Sequence, residues 1–175
     1  MGGAEEAEEA EEEQHTGMSS ATPPVAPVAP VARLMVSGTR VGMTPAQKDV
    51  FKDLLHKHAS VEHLLHGDCI GADKECHRLA REVGGRDLAV HIYPPKDERQ
   101  RAWCQVGDAG ELVVHEADTY LKRDFKMVKV ADLVIAFPSG RKEQKRGSGT
   151  WAVIREARRK RVALVVVYPD GGKGE

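Results

Sequence analysis

Hydrophobic residues recur in two alternating patterns along the chain after residue 32. Short apolar runs at residues 34–36, 61–65, 88–93, 132–138 and 162–168 predict five strands, and apolar residues at helical spacing between the runs predict helices. The fourth run has no polar alternation, which is typical of a strand buried on both faces. We therefore predict an α/β fold with a doubly wound parallel sheet of about five strands in three α/β/α layers.

Capping signals set the limits of two of these helices. Residues 44–47 combine an N-cap Thr, a Pro at the first helical position and a Gln that completes a capping box. Gly84 and Gly85 are expected to end the second helix. The segment from residue 96 to about 116 has weak periodicity and is predicted to be a long loop, which leaves two interpretations open. Its residues Arg99, Arg101 and Trp103 either close over a ligand or belong to an ordinary surface excursion.

The first 32 residues have a different composition from the rest. They hold seven Glu, no Lys or Arg, and a Pro-Val-Ala repeat at residues 24–32. Such a segment lacks the apolar surface needed to fold alone, so residues 1–32 are predicted to be a disordered acidic and Pro/Ala-rich tail before one domain at 33–175. That domain carries 26 basic and 20 acidic residues, a net charge of +6 that favours anionic ligands.

The cysteines and the apolar content of the chain indicate its cellular compartment and whether it binds a membrane or a metal. Cys69, Cys76 and Cys104 form an odd set without a C-x-x-C pair, which indicates a reducing compartment, and we expect a cytoplasmic protein. No apolar run is long enough to span a bilayer, so no membrane association is predicted. His66 and His77 lie in one segment with two of the cysteines, but their spacing matches no common zinc pattern, and we expect no metal site.

Glycine-containing turns follow the first, second and fourth predicted strands. In doubly wound sheets, ligands bind at the carboxyl ends of the strands where the winding direction reverses, so these turns are expected to meet in one crevice. The N–H groups at the start of the helix after residues 147–150 suit a phosphate, although the Gly-Lys-Ser/Thr of a P-loop is missing. The predicted ligand contacts are Ser37, Gly38, Thr39, Arg40, Gly67, Asp68, Gly71, Ala72, Asp73, Arg123, Pro138, Gly147, Ser148, Gly149 and Thr150.

Charged residues among these contacts each have two interpretations. Asp73 stands where a first-turn acid stabilises a helix, and Asp68 lies in a turn where Asp is common, yet a carboxylate there also suits a ribose hydroxyl. Arg123, followed by Arg40, is the best candidate for a phosphate clamp, because guanidinium forks match phosphate oxygens. The alternative for both is an exposed arginine on a helix or loop.

Four blocks of sequence resemble the SLOG superfamily of Rossmann-like proteins, which includes SMF/DprA and LOG-related proteins, and within it the YspA/YpsA-like branch. The blocks are residues 36–40, 66–73, 123–138 and 147–150, and the resemblance covers residues 34–169. It implies a domain that binds nucleotides or nucleotide-derived molecules, with some members proposed as ligand sensors and others acting as nucleotide-processing enzymes. The expected function is binding of such a phosphorylated ligand in the crevice. No particular cofactor is predicted beside this ligand.

Two alternatives follow from the same resemblance. One is a nucleoside 5'-monophosphate phosphoribohydrolase, for which Asp68 and Asp124 are the candidate catalytic carboxylates. The glutamate of the resembling enzyme branch corresponds to Val153 here, and Glu156 lies one turn further along. The other alternative is DprA-like binding of single-stranded DNA by the basic residues at 155–161, which also complement the dipole of a helix end. The expected partner is a small nucleotide-like molecule, with nucleic acid ranked below it and a homo-oligomer left open.

Overall fold

The structure is a computed structural model that describes residues 30–85, 87–105 and 110–175. The predicted tail at residues 1–32 therefore lies outside the described residues except for its last three. Among those three, Val31 is 8% exposed and belongs to the hydrophobic core, and the carbonyl of Ala32 accepts the N–H groups of Glu62 and His63. The described part of the chain is therefore packed into the fold from its first residues, through the Val31 side chain and the Ala32 carbonyl.

One seven-stranded sheet organises the molecule, with the spatial order β4-β3-β2-β1-β5-β6-β7. All neighbouring strands pair in parallel except β6 and β7, which are antiparallel. β1 lies between β2 and β5, so the chain winds outward from β1 in both directions and leaves a crevice at their carboxyl ends. The strands are β1 Arg33–Gly38, β2 His63–His66, β3 Ala89–Ile92, β4 Leu112–Val114, β5 Leu133–Phe137, β6 Ala163–Val167 and β7 Lys173–Gly174.

The predicted parallel α/β sheet is confirmed, and the expected count of about five strands is too small. Both additional strands lie at the edges of the sheet and are very short, three residues in β4 and two in β7. The predicted loop at residues 96–116 contains β4 and a 3-10 turn at Glu98–Gln100. A run of two or three residues is too short for periodicity to distinguish a strand from a loop.

Four helices cover the two faces of the sheet: α1 Pro45–Lys57, α2 Ala72–Gly84, α3 Tyr120–Val130 and α4 Gly149–Lys160. Phe51 of α1 and Leu79 of α2 pack into one core cluster, and Met127 of α3 and Trp151 of α4 pack into a second cluster on the opposite face. The predicted three-layer architecture is confirmed. Among the described residues, no helix combines the length and the apolar content needed to cross a membrane.

The capping box at the start of α1 forms as predicted. The Thr44 hydroxyl oxygen accepts the Gln47 N–H, and the Gln47 carboxamide oxygen accepts the Thr44 N–H. The amide nitrogen of the buried Gln47 side chain also donates to the carbonyls of Pro138 and Val167, at 3.1 and 2.8 Å. Gln47 therefore joins α1 to the carboxyl ends of β5 and β6, beside the crevice.

Candidate ligand-binding cleft

A cleft of about 710 Å³ opens at the carboxyl ends of β1, β2 and β5. The turns after these three strands form its walls, and α3 adds a fourth wall. The structure thus brings together most of the residues chosen from the sequence. The predicted residues that line the cleft are Ser37, Gly38, Thr39, Arg40, Gly67, Asp73, Arg123, Asp124, Gly147, Ser148, Gly149 and Thr150.

Asp68 does not line the cleft, contrary to the prediction. Its side chain is completely buried and turned toward the loop at residues 97–105, where it accepts bonds from Arg101 Nε at 2.6 Å and the Cys104 N–H at 2.9 Å. Its backbone has a φ of +53°, an uncommon conformation for a residue other than Gly. The carboxylate of Asp68 therefore attaches that loop to the turn after β2.

Gly71, Ala72 and Pro138 also lie outside the lining. Ala72 packs directly beneath the turn after β1, so closely that a Cβ added to Gly38 would be 2.4 Å from the Ala72 Cβ. Gly71 has a φ of +87° and lies against the carbonyl groups of that same turn. The Pro138 carbonyl accepts a bond from Gln47, so it is engaged with α1. These residues therefore pack against the elements that form the cleft wall and do not line the cleft themselves.

Arg123 is 4% exposed and holds two strand ends together. Its Nη1 donates to the carbonyl oxygens of Gly67 and Tyr93, and its Nη2 lies 3.2 Å from the Cys69 sulfur. A Cβ at Gly67 would meet the guanidinium group and displace it. Arg123 Nε lies 3.5 Å from Asp124 Oδ1, so Arg123 connects the two strand ends and also pairs with the neighbouring carboxyl group.

Two carboxyl groups with raised pKa values face the cleft. Burial raises the pKa of Asp124 to about 7, against the opposing effect of the Arg123 guanidinium, and the Asp73 carboxylate raises it further. Burial raises the pKa of Asp73 to about 6, although Arg123 and the N–H groups of Cys69 and Gly67 lower it. Asp73 Oδ2 accepts both of those N–H groups, as expected for a first-turn acid that fixes a turn. Asp124 forms no comparable backbone bond among the described residues.

Asp124 lies beside the first residue of α4. A Cβ built on Gly149 would be 3.9 Å from Asp124 Oδ2, so the carboxyl group faces the positive end of the helix. Ser148 caps that helix by accepting the Trp151 N–H, and the N–H groups of the first turn point toward the cleft wall. A proton on Asp124 and these N–H groups can therefore act on the same bound group.

Tyr120 is a cleft residue that sequence reasoning missed. The guanidinium carbons of Arg40 and Arg123 lie 4.9 and 5.0 Å from its ring centroid. Among the described residues, Tyr120 Oη and Arg123 Nε are buried without a hydrogen-bond partner. Both belong to residues that line the cleft. The only sequence signal for Tyr120 was its position at the start of α3, three residues before Arg123.

Basic side chains form the outer rim of the cleft. Lys145 and Arg146 line it from the loop before α4, and Arg155 lines it from the helix itself. Arg155 pairs with Glu143 at 3.1 Å, whereas Lys145 and Arg146 form no ion pair within the described part of the chain. The run of basic residues at 141–146 was visible in the sequence, but only the fold shows that part of it faces the cleft.

The predicted long loop contains Arg99, Arg101 and Trp103, and the structure shows where these three side chains lie relative to the cleft. Arg101 pairs with Asp68, and its guanidinium carbon lies 3.9 Å from the Trp103 ring centroid. Arg99 pairs with Asp97 at the surface. None of Arg99, Arg101 and Trp103 lines the cleft. This loop supports the turn after β2 from the side opposite the cleft.

Two solved structures resemble this architecture. The X-ray structure of TM1055, a structural genomics target, has a TM-score of 0.52 and 19% sequence identity over 80% of this chain and 76% of its own. DNA processing protein A (DprA) from Helicobacter pylori, described for its single-stranded DNA binding mode, has a TM-score of 0.54 and 18% identity. That likeness covers 77% of this chain but only 64% of the DprA chain, less than two thirds. No protein-family model matches the sequence, and no curated protein matches it.

The chain shares its fold with TM1055 and DprA, so its resemblance to the SLOG superfamily holds at the level of the fold. Its assignment to the superfamily's YspA/YpsA-like branch stays a prediction. Val153, at the position that corresponds to the glutamate of the resembling enzyme branch, is fully buried in the core. Glu156 pairs with Arg159 at 2.6 Å and does not line the cleft. Neither position provides a carboxylate in the cleft, and among the described residues Asp73 and Asp124 are its acidic groups.

Proposed function

We propose that the cleft binds a nucleotide or a nucleotide-derived phosphorylated molecule. The observation that carries this proposal is the buried hydroxyl of Tyr120, a cleft-lining residue, which lacks a hydrogen-bond partner among the described residues. Arg123 Nε, also in the cleft lining, forms no hydrogen bond and lies 3.5 Å from Asp124 Oδ1. Buried polar groups are almost always hydrogen-bonded, and an unpaired one costs about 1–3 kcal/mol. A ligand with several acceptor oxygens would satisfy both atoms.

The phosphate end of such a ligand is assigned to the start of α4. Gly149 and Thr150 offer N–H groups at the positive end of the helix, and Lys145 and Arg146 add charge at the rim. The aromatic face of Tyr120, with Arg40 beside it, suits a flat base or a sugar. The cleft volume of about 710 Å³ is within the usual range for small-molecule sites.

A second candidate function, hydrolysis of an N-glycosidic bond, is favoured by Asp124. A carboxyl group with a pKa of about 7 exchanges its proton near neutral pH, as a general acid or base must. Asp68 is not part of this candidate, because its carboxylate is bound to Arg101 and Cys104 away from the cleft. Binding without turnover and hydrolysis use the same cleft and differ only in whether base is released.

The test is a thermal-shift screen of the full chain against nucleoside monophosphates, ADP-ribose, NAD and inorganic phosphate, with base release followed by chromatography. A ligand at about 100 times its dissociation constant should stabilise the protein by about 2.7 kcal/mol. Tyr120→Phe removes only the unpaired hydroxyl and should weaken binding about tenfold, since a hydrogen bond to a ligand contributes roughly 1.4 kcal/mol. Tyr168→Phe is the matched control, because Tyr168 contacts Arg141 outside the cleft.

Each outcome has a defined meaning. Stabilisation that is weaker in Tyr120→Phe, without base release, supports a binding protein. Base release that disappears in Asp124→Asn, while stabilisation by the ligand persists, supports the hydrolase. If no member of the panel shifts the melting temperature, the nucleotide proposal is wrong. The DprA-like alternative then becomes the next candidate, and a salt titration of single-stranded DNA binding would measure its phosphate contacts.

A further inference from the structure

Behind the cleft, three potential metal ligands from separate parts of the chain meet in the core. His66 ends β2, His77 lies in α2, and Cys104 belongs to the loop attached to Asp68. All three are buried, at 0%, 6% and 8% exposed. Their ligating atoms lie within 4.8 Å of one another, and His66 Nε2 is 3.0 Å from His77 Nδ1.

We propose that His66, His77 and Cys104 form a binding site for a zinc-class divalent cation. Two imidazole nitrogens and one thiolate are the donor types that Zn²⁺ prefers. Metal–nitrogen bonds of about 2.0–2.1 Å in a tetrahedral site place two nitrogens roughly 3.3 Å apart, close to the 3.0 Å between the two imidazoles. The Cys104 sulfur lies within 4.8 Å of both nitrogens and has to move inward to complete this set.

The hydrogen bonds around His77 already have the arrangement of a metal ligand. His77 Nε2 lies 2.8 Å from the Gln105 carbonyl oxygen, which can only accept, so Nε2 carries the proton and Nδ1 has the free electron pair. Histidines that ligate metals usually donate their other N–H to such a carbonyl or carboxylate.

His66 has to change its tautomer. Its Nδ1 accepts the Asp68 N–H at 3.0 Å, so Nε2 carries the proton in the metal-free chain. Coordination through Nε2 moves that proton to Nδ1 and releases the Asp68 N–H. The Cys104 thiol loses its proton to solvent when sulfur binds the metal, so one proton is released for each ion bound. The buried Asp68 carboxylate, which accepts the Cys104 N–H, adds compensating negative charge.

The other two cysteines are engaged elsewhere. Cys69 lies against Arg123 Nη2, and Cys76 lies 3.6 Å from the sulfur of Met43. Because Cys69 and Cys76 have partners elsewhere in the fold, their spacing from the two histidines in the sequence did not indicate a site. The cysteine that joins the two histidines lies 27 positions after His77 and reaches them only through the fold.

The test is a titration of the chelator-treated full chain with Co²⁺, followed by displacement with Zn²⁺. We expect one equivalent of Co²⁺ to produce a thiolate-to-cobalt charge-transfer absorption and the visible bands of a tetrahedral site, both abolished by Zn²⁺. Cys104→Ser should lose the charge-transfer absorption, and His77→Gln should bind Co²⁺ at least about tenfold more weakly. Cys76→Ala, a buried cysteine outside the cluster, should bind like the wild type.

A second histidine group is a necessary control. His63, His91 and His115 form a partly exposed row on the sheet, with neighbouring ring nitrogens 3.1 and 3.2 Å apart. His91→Gln should leave the cobalt spectrum unchanged. A spectrum without thiolate charge transfer, one that persists in Cys104→Ser, or one lost in His91→Gln would overturn the proposal. Should Cys104→Ser fail to fold, release of one proton per Zn²⁺ by the wild type, measured in weak buffer, supports the site, and zero release contradicts it.

Discussion

Asp68 and Arg101 form a partly buried ion pair, with Arg101 Nε 2.6 Å from an oxygen of the fully buried Asp68 carboxylate. The same carboxylate accepts the Cys104 N–H, and the Asp68 carbonyl accepts the Ala102 N–H. Three contacts from one residue thus attach the loop at residues 97–105 to the turn after β2. Because this turn forms a wall of the cleft on its other side, the pair positions cleft residues without contacting the cleft.

Asp68→Ala is therefore expected to destabilise the protein strongly. Arg101 is 16% exposed, so removing the buried carboxylate leaves a mostly buried charge uncompensated and should cost about 3 kcal/mol, the lower end of the range for buried pairs. Urea denaturation would measure the change in the free energy of unfolding. Asp97→Ala, which removes the exposed pair with Arg99 and the cap on the Arg99 N–H in the same loop, should change it much less. Equal effects of the two substitutions would contradict the structural role of Asp68.

Gly38→Ala tests the close approach of the turn after β1 to α2. The new Cβ would lie 2.4 Å from the Ala72 Cβ, and neither group can rotate away. Overpacking of this kind costs about 1–3 kcal/mol, and the displaced turn should also weaken ligand binding. Gly140→Ala is the matched control, because a Cβ there meets no atom within 4 Å. Thermal melts of both variants, with and without ligand, would compare them.

The main elements of this fold were predictable because each has a strong local signal. The capping box at Thr44 and Gln47 set the start of α1, and the uninterrupted apolar run of β5 indicated burial on both faces. The edge strands β4 and β7 lacked such signals, since so few residues show no period. Their pairing depends on the neighbouring strand, which only the folded sheet supplies.

The cleft was predictable in its backbone and less so in its side chains. Glycine turns at Gly38, Gly67 and Gly149 indicated where strands end, and the winding rule brought the turns together. The orientation of Asp68 depends on a bond to Arg101, 33 positions away, which no local pattern encodes. The same limitation hid Tyr120, whose importance comes from its contacts with Arg40 and Arg123.

His91 is expected to make the protein less stable in mild acid. Burial lowers its pKa below 6.5, and His63, His115 and Arg33 lower it further, against Glu111. The unfolded chain therefore binds more protons than the folded one below pH 6.5, so stability falls as the pH decreases through this value. Urea denaturation at pH 7.5 and pH 5 should show a smaller loss for His91→Gln than for the wild type. An identical loss would show that His91 does not contribute.

Asp124 should produce the opposite dependence on pH. Its pKa rises from 3.8 to about 7 on folding, so between these values the folded state holds a proton that the unfolded state has released. The contribution of Asp124 to stability therefore decreases as the pH rises from about 4 to 7. Asn keeps the shape of the side chain and has no proton to lose. Relative to the wild type, Asp124→Asn should gain stability over this range, by a few kcal/mol at about 1.4 kcal/mol per pKa unit.

The measurement is the difference in unfolding free energy between Asp124→Asn and the wild type at pH 5 and pH 8. Asp118→Asn provides a control, because the hydrogen bond from Lys126 lowers the pKa of Asp118 below 3.8 and keeps it ionised at both pH values. The difference between that variant and the wild type should therefore be the same at pH 5 and pH 8. A difference for Asp124→Asn that is constant with pH would mean that the carboxyl group is already ionised in the folded protein. Asp124 would then lack the exchangeable proton that the hydrolase candidate requires.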